Sequence, residues 1–535
     1  MSELTGRLLA TLQNRPSRSL VHFEGVDYTG SDLMADVARV QALLAKMGVR
    51  RGDRVVIAEP NTYTYIATYV AMLLYGAVAV PVNPAMPRPE LEKVMRRAEV
   101  RGALVTSDLW QTMDLQENRD QLPESLTLLG RIDGSHSGFQ IHCQHRVESG
   151  AWGEQEGLLE TPQLLAGDIA ERAASVSEDA GAILLFTSGT TGVPKGVLLT
   201  HRQVMATSRN VGLSHELGEQ DVCFCFLPLF HINAQVIGLI TTLTTGGRMV
   251  LEDKFSASRF WVTVAEQRVT WVSAVPTVIA ILIKSAGQPI GSHRPRFFRS
   301  ASAPLPDLHA RRFEARFGVP LIESYGMTEA ASQICVNPLP PAQHKFGSAG
   351  RPFGVELRIV DELGQSLDDH EIGEIVLRGD SVITSYASGD DTGKSFRDGW
   401  FYTGDLGYRD ADGFIYITGR SKEMINRAGQ KISPREVEEV IVKHPQIRQA
   451  AVIGLPDDMY GERVVAYVIP DVFRGKQDIE LKEQLRTLCK ESVSAYKCPA
   501  EFHIVEEIPI GPTGKIQRHR LREQVLSLGS AGAGM

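Results

Sequence analysis

Between two apolar runs, 184–186 and 197–199, the stretch Thr187-Ser188-Gly189-Thr190-Thr191-Gly192-Val193-Pro194-Lys195-Gly196 gathers hydroxyl groups, glycines and one lysine. Glycines lack Cβ and let backbone N–H groups converge on an oxyanion. The hydroxyls of Thr187, Ser188, Thr190 and Thr191 add donors, and Lys195 adds charge. The chemistry this pattern points to is phosphate binding. It is not the ordinary P-loop, which needs Ser or Thr directly after a Gly-Lys pair, because Pro194 precedes this lysine and Gly196 follows it.

Further polar stretches follow in order: Ser302-Ala303-Pro304-Leu305, then Glu323-Ser324-Tyr325-Gly326-Met327-Thr328-Glu329, then Trp400-Phe401-Tyr402-Thr403-Gly404-Asp405, Arg420, and Pro512-Thr513-Gly514-Lys515-Ile516. Together with the hydroxyl-rich loop they resemble the signature motifs of the acyl-adenylate-forming (ANL) superfamily, in particular its AMP-dependent acyl-CoA synthetases, over nearly the whole chain. The resemblance implies a two-step reaction. A carboxylate would leave as oxide and is a poor acyl donor, so ATP first converts it to acyl-AMP with release of pyrophosphate. A thiol then displaces AMP. The implied cofactors are ATP, Mg2+ and coenzyme A. A separate phosphopantetheinyl carrier protein is the alternative acceptor.

The resemblance also assigns roles. Thr187, Ser188, Gly189, Thr190, Thr191 and Lys195 hold the phosphates, while Ser302, Ala303, Pro304, Glu323, Ser324, Tyr325, Gly326 and Met327 form the nucleotide loops. Tyr325 is suited to stack on adenine, Thr328 to donate to the α-phosphate and Glu329 to hold magnesium. Asp405 is the ribose ligand, a bidentate task that suits a carboxylate, and Arg420 is the second ribose contact. Lys515 enters for the first half-reaction and offsets charge between the attacking carboxylate and the α-phosphate. Lys422 is the hinge on which a C-terminal domain swings, and Gly429 lies in the loop that passes the pantetheine arm in the second pose. His231 falls where the family places an aromatic gate beside the acyl pocket, with a hydrogen-bonded core histidine as the competing reading. Asn233, Gln235, Ser300 and Met327 form plausible pocket wall. Phe230-His231 offers no aspartate for a substrate ammonium, which favours a plain carboxylic acid over an amino acid. A nucleotide sensor without turnover and a luciferase-type oxygenase compete on the same scaffold. The presence together of Lys195, Glu329, Asp405 and Lys515 argues for turnover.

These residues need a scaffold, and the pattern supplies one. Strand 53–59, helix 61–75, strand 77–82, helix 88–98 and strand 102–107 alternate as parallel α/β structure does. The stretch 111–165 is polar and without clean period, and reads as peripheral. The same grammar returns after the loop: strand 221–227, a helix near 234–245, strand 248–252, helix 257–267, strand 270–274, then strands 296–300 and 320–323. The expected fold is α/β, with a large N-terminal domain (1–420) of two doubly wound α/β subdomains and a small β-barrel-like subdomain (347–420). A mobile α+β C-terminal domain (421–535) follows, with helices 434–443, 479–492 and one from 518, strands 449–453 and 463–469, and a frayed end at 529–535.

A chain of 535 residues exceeds one compact core. The net charge of -8 argues against a nucleic-acid or anionic-membrane surface, so an anionic ligand must be met by local positive charge. The first 13 residues carry charges and no sustained apolar core, unlike a secretory signal, which makes a cytoplasmic address the expectation. The run 65–80 is broken by Tyr69, Tyr75 and Gly76 and reads as a buried helix turning into a strand, not a bilayer span. Of the six cysteines, Cys223 and Cys225 share one face of a strand and read as core, and no zinc or disulfide framework is visible.

Overall fold

The segment Tyr63–Tyr75 is apolar on every side, and such a helix is stable only with protein around it. The computed structural model describes residues 1–46, 48–112, 122–135, 138–146, 152–155, 166–187, 195–387, 392–473, 475, 478–511 and 515–532. It buries every residue of this helix in a core to which both large sheets contribute. The Thr62 side chain accepts the Tyr65 N–H at the start, and Gly76, at φ +84°, closes the end in the left-handed region that favours glycine.

The first sheet has eight strands in the order 195–200, 181–187, 78–81, 54–58, 102–105, 128–135, 138–146, 152–155. The second has nine, in the order 351–352, 332–336, 321–327, 297–300, 271–274, 222–225, 248–251, 19–23, 26–29. In the first, 54–58 lies between 78–81 and 102–105, all parallel. In the second, 222–225 lies in the same way between 248–251 and 271–274. The repeated element order of the sequence is thus a repeated strand topology. The N-terminal hairpin crosses over: Ser19–Phe23 pairs with Arg248–Leu251 of the second sheet, while the first sheet is built from the consecutive strands of 54–200.

The mixed α/β class matches expectation, and several details differ. The stretch read as peripheral carries three strands, Leu128–Ser135, Gly138–Arg146 and Trp152–Gln155, that extend the first sheet. Their antiparallel pairing hides in polar sequence because they form a sheet edge. The helix expected near 234–245 begins as a π-helix, Asn233–Ile240, and tightens to α at Thr241–Thr244. Thr241, Thr242, Thr244 and Thr245 each donate a side-chain hydroxyl to a carbonyl four or five residues back, and such bonding accompanies wide turns. The last helix, Arg518–Gly532, reaches into the stretch 529–535 expected to fray, whose last three residues lie outside the described residues. Cys223 and Cys225 are buried in the core as expected.

A five-stranded antiparallel sheet drawn from residues 356–420 follows the second large sheet. Beyond it, residues from 425 onward form another five-stranded sheet with its own apolar core around Ile441, Val452, Ala466 and Leu485. No helix among the described residues is long and apolar enough to cross a membrane.

Arg518 fixes the last helix to this C-terminal core. Its guanidinium grips Glu438 through two bonds of 3.0 and 2.6 Å and donates to Glu423 at 2.7 Å, just past Lys422. Glu438 also accepts the Val452 N–H at 2.8 Å. Arg518→Ala would leave Glu438 buried without its cation, and is expected to cost about 3 kcal/mol of stability. Scanning calorimetry reads this as a lowered first transition, and an unchanged thermogram would refute it.

Candidate active site

Asp405 is buried in the strand Trp400–Arg409, directly opposite Arg420 on Ile415–Arg420. Arg420 Nε donates to Oδ1 at 2.9 Å and the Tyr325 hydroxyl donates to Oδ2 at 2.6 Å. The Thr403 hydroxyl accepts the Asp405 N–H at 3.0 Å and donates to the Ile375 carbonyl at 2.8 Å, which fixes the local backbone. A carboxylate has about four acceptor sites, so two stay available for ligand hydroxyls. Asp405 raises the pKa of Arg420, and burial together with Asp405 pushes that of Tyr325 well up, so both keep their protons.

Tyr325 and Gly326 stand where Leu321–Met327 pairs with Ser332–Val336 through a register shift. A Cβ on Gly326 would meet the Ser332 carbonyl oxygen at 1.5 Å, so the close approach requires glycine. Ser324 is buried and donates to the Cys335 carbonyl at 2.8 Å. Thr328 and Glu329 form a 3-10 turn directly after Met327. Glu329 is buried and accepts from the Tyr386 hydroxyl at 3.2 Å, and burial raises its pKa. Lys195 Nζ lies 4.6 Å from the centre of the Tyr386 ring, so the lysine of the phosphate loop and the proposed magnesium ligand meet on one tyrosine. The segment that carries Tyr386 is pinned on both sides, by Ile383 N–H to Glu329 O and Ala387 N–H to Gly196 O.

Thr187 and Lys195 face each other across the hairpin of 181–187 and 195–200. Ser188, Gly189, Thr190 and Thr191 lie outside the described residues, as do Pro512, Thr513 and Gly514. Lys515 is described. Its carbonyl accepts the Gly511 N–H at 2.8 Å, and an Ile510–Ile516 bridge closes the turn. The side chain keeps contact with solvent, yet the charges acting on it are those of the site: Arg420, Asp405, Glu329 and Glu423. Desolvation, then Arg420, lowers its pKa from the ordinary 10.5, while the three carboxylates oppose this. His231 also feels Lys515: burial first, then this charge, brings its pKa down to about 4.

The loop that carries His231 is riveted from the other sheet. The Asn61 amide donates to Leu227 O and Glu252 O and accepts the Leu229 N–H, at 2.8–3.1 Å, and the Tyr65 hydroxyl bonds Leu229 O at 2.7 Å. Behind the loop, Asn233 donates to the Ser302 hydroxyl at 3.3 Å. Ser302 has φ +73°, and Ala303 and Pro304 continue that turn. Burial lifts the carboxyl of Glu323 to about 8, and Arg435 opposes this from the C-terminal unit. Gln235, Ser300 and Asn233 are buried and Met327 half-buried.

The structure therefore gathers Tyr325, Glu329, Asp405, Arg420, Lys515 and His231 in one neighbourhood, with Lys195 joined through Tyr386. Lys422 and Gly429 are exposed and stand apart. Gly429, at φ +84°, turns the hairpin of 425–427 and 430–432, whose contacts run to Asn426 and Tyr460. Sequence reasoning missed two residues. Tyr386 lies between motifs and carries no signal of its own. Arg299 is a charge set in the apolar strand Phe297–Ser300, and that incongruity was readable.

Family models for AMP-binding enzyme and for the AMP-binding enzyme C-terminal domain match residues 8–387 and 436–515. The chain is 46% identical over 493 residues to a sulfoacetate–CoA ligase of Cupriavidus necator, covering 91% of both chains. It is 33% identical to an oxalate–CoA ligase of Arabidopsis thaliana, covering 90% of both. An anthranilate CoA ligase solved in complex with anthranoyl-AMP superposes with a TM-score of 0.84 at 26% identity, covering 99% of this chain and 98% of that one.

The depressed pKa of Lys515 gives a pH prediction. The useful form is the ammonium, so kcat/KM for ATP falls as pH rises through the lowered pKa, and its alkaline limb lies below 10.5. Lys515→Arg keeps its proton at all these pH values and is expected to move the limb upward. A limb that stays in place in this variant would show that another group titrates.

Proposed function

The chain belongs to the AMP-binding enzyme family and is an ATP-dependent, AMP-forming acid–CoA ligase; from that premise we propose that its acid is short, carries a second anionic group, and is activated by the residues gathered around Asp405. The observation that supports the assignment of roles is the convergence of Arg420 and Tyr325 on Asp405, within whose field Lys515 also lies. The 46% identity to a ligase named for sulfoacetate supports the class of acid.

In the first half-reaction an oxygen of the acid's carboxylate attacks the α-phosphorus of ATP, and the bond to pyrophosphate breaks with its electron pair leaving on that group. Two anions must approach, and the field of Lys515 falls where their repulsion is largest. Asp405 and Arg420 orient the ribose, Tyr325 lies along the adenine, and Lys195 with the hydroxyl-rich loop holds the departing phosphates. In the second half-reaction the thiol of CoA attacks the acyl carbon, and AMP leaves as a stable anion.

Magnesium fits this donor set. Glu329 offers a buried carboxylate with one oxygen engaged by Tyr386, and no group of three or more His, Cys, Asp or Glu that could hold a metal occurs among the described residues. Most ligands would then be phosphate oxygens and water, as magnesium prefers. When bound, the ion would offset phosphate charge. Thr328 is placed to donate to the α-phosphate. His231, its pKa near 4, is neutral at pH 7 and stands as the gate by the acid.

Lys422 is the pivot in this reading. Lys515 feels the charges of Asp405, Arg420 and Glu329 while Gly429 is exposed, which supports reading this pose as that of the first half-reaction. Rotation about Lys422 would exchange the two. Lys515→Ala is accordingly expected to lower acid-dependent pyrophosphate exchange by roughly 100-fold or more. Thioester formation from supplied acyl-AMP should fall by less than about 5-fold. Equal loss in both assays would overturn the two-pose assignment.

A further inference from the structure

Arg299 is the buried cation that the reaction as described does not use. Its side chain is 1% exposed, and no carboxylate among the described residues forms an ion pair with it. An isolated charge in such a place is costly unless something compensates it. The protein supplies only neutral acceptors: Asn233 Oδ1 at 3.1 Å and the Ser273 hydroxyl at 3.5 Å to Nη1, and the Ser324 hydroxyl at 2.9 Å to Nη2. Nε has no partner. The bonds on the Asn233 side exceed the 2.7–2.9 Å typical of charge-assisted contacts. Burial lowers the guanidinium pKa to about 9, which leaves it charged at neutral pH. The His215 ring, buried beside it, is held down to about 3 by desolvation and then by the Arg299 charge.

The place of this cation is as informative as its lack of a partner. On one face of the second large sheet, three neighbouring parallel strands each follow a buried apolar residue with a polar one two positions on: Trp271 then Ser273, Phe297 then Arg299, Ile322 then Ser324. Period-two alternation puts each pair on the same face. The apolar members pack with Ile237 of the π-helix, and the polar members form a row at the carboxyl ends of the strands, where open α/β sheets bind ligands. The π-helix begins over this row with Asn233, which bonds both Arg299 and Ser302, two residues after His231. Asn233 thus joins this row to Ser302 and, two residues back in the chain, to His231, on which the charge of Lys515 acts. Gln235 Nε2 and His231 Nε2 are also buried without a partner.

We propose that Arg299 reads the second oxyanion of the acid, a sulfonate or a carboxylate one short spacer away from the reacting carboxylate, and so determines which acids this ligase activates. The proposal rests on the acid–CoA ligase reading above. An arriving oxyanion replaces the long bond from Asn233, takes the unused Nε–H, and completes a bidentate contact that three neutral acceptors only approximate. A monoanionic acid of similar size leaves the guanidinium without a counter-charge, and a site built for a polar partner discriminates strongly against a ligand that lacks it.

The test compares kcat/KM for sulfoacetate and malonate with that for methylsulfonylacetate, which keeps the sulfonyl oxygens without the charge, and for butyrate. Wild-type enzyme is expected to favour the best dianion by roughly 100-fold or more over both monoanions, and Arg299→Met to bring that ratio to within about 5-fold. Arg299→Lys, a point charge without the fork, should fall between. Should Arg299→Met not fold, Asn233→Asp gives the guanidinium an internal carboxylate and is expected to reduce the same ratio by roughly 10-fold or more. Wild-type enzyme that uses monoanions as well as dianions would overturn the proposal and leave the ligase reading intact. So would an Arg299→Met enzyme that loses all acids in equal proportion, which is the mark of a purely architectural arginine, or an Asn233→Asp enzyme of unchanged selectivity. No acyl-CoA from any acid would defeat the ligase reading itself.

Discussion

The site depends on one carboxylate, Asp405, which holds two proton donors that come to it from different parts of the chain. Tyr325 belongs to the second large sheet and Arg420 ends the strand before the C-terminal unit, and each occupies one oxygen of Asp405. The contact ties the loop expected to line the adenine to the last strand before the hinge. Its backbone is fixed in turn by Thr403 and by Glu374, which accepts the Gly404 N–H at 2.9 Å. Arg420 sits two residues before Lys422, so the proposed ribose anchor and the proposed pivot adjoin along the chain although the Lys422 side chain is exposed.

Around this anchor the charges are arranged to be incomplete. Lys515 is repelled by Arg420 while three carboxylates attract it, and Glu329 is buried with a neutral tyrosine as partner. Arg299 meets only amide and hydroxyl groups. Each group is less well compensated than it would be with its ligand, which is what differential binding requires. The stability given up here is supplied by the apolar core shared between the sheets, where every residue of Tyr63–Tyr75 is buried.

Much of this was legible in the chain. Parallel α/β units announce themselves through alternating apolar runs of strand and helix length, so strands such as Arg54–Ala58 and Trp271–Ala274 were readable to within a residue or two at each end. The order of the polar motifs then located the site. The antiparallel strands toward the edge of the first sheet, such as Gly138–Arg146, were not readable, since their sequence is polar and leaves no periodic apolar imprint. Nor was the π-turn, which depends on a threonine run bonding its own carbonyls. Tyr386 was hidden because its role comes from three-dimensional meeting with Lys195 and Glu329. Arg299 is the opposite case: a charge inside an apolar strand breaks the local rule, and such breaks are expected at functional or strained positions.

The crossing of the N-terminal hairpin to the second large sheet bears on how the polypeptide acquires its shape. Val21 pairs in parallel with Met249, more than two hundred positions later. During synthesis the amino-terminal hairpin must therefore wait, its edge unsatisfied, until the partner strand has left the ribosome. The first sheet, drawn from 54–200, can pair before then, but the second cannot close, and loop closure of that span makes the large body slow to form and exposed to misassembly meanwhile. The segment from 425 onward, with a private core built from near neighbours, is under no such delay and can fold as soon as it emerges.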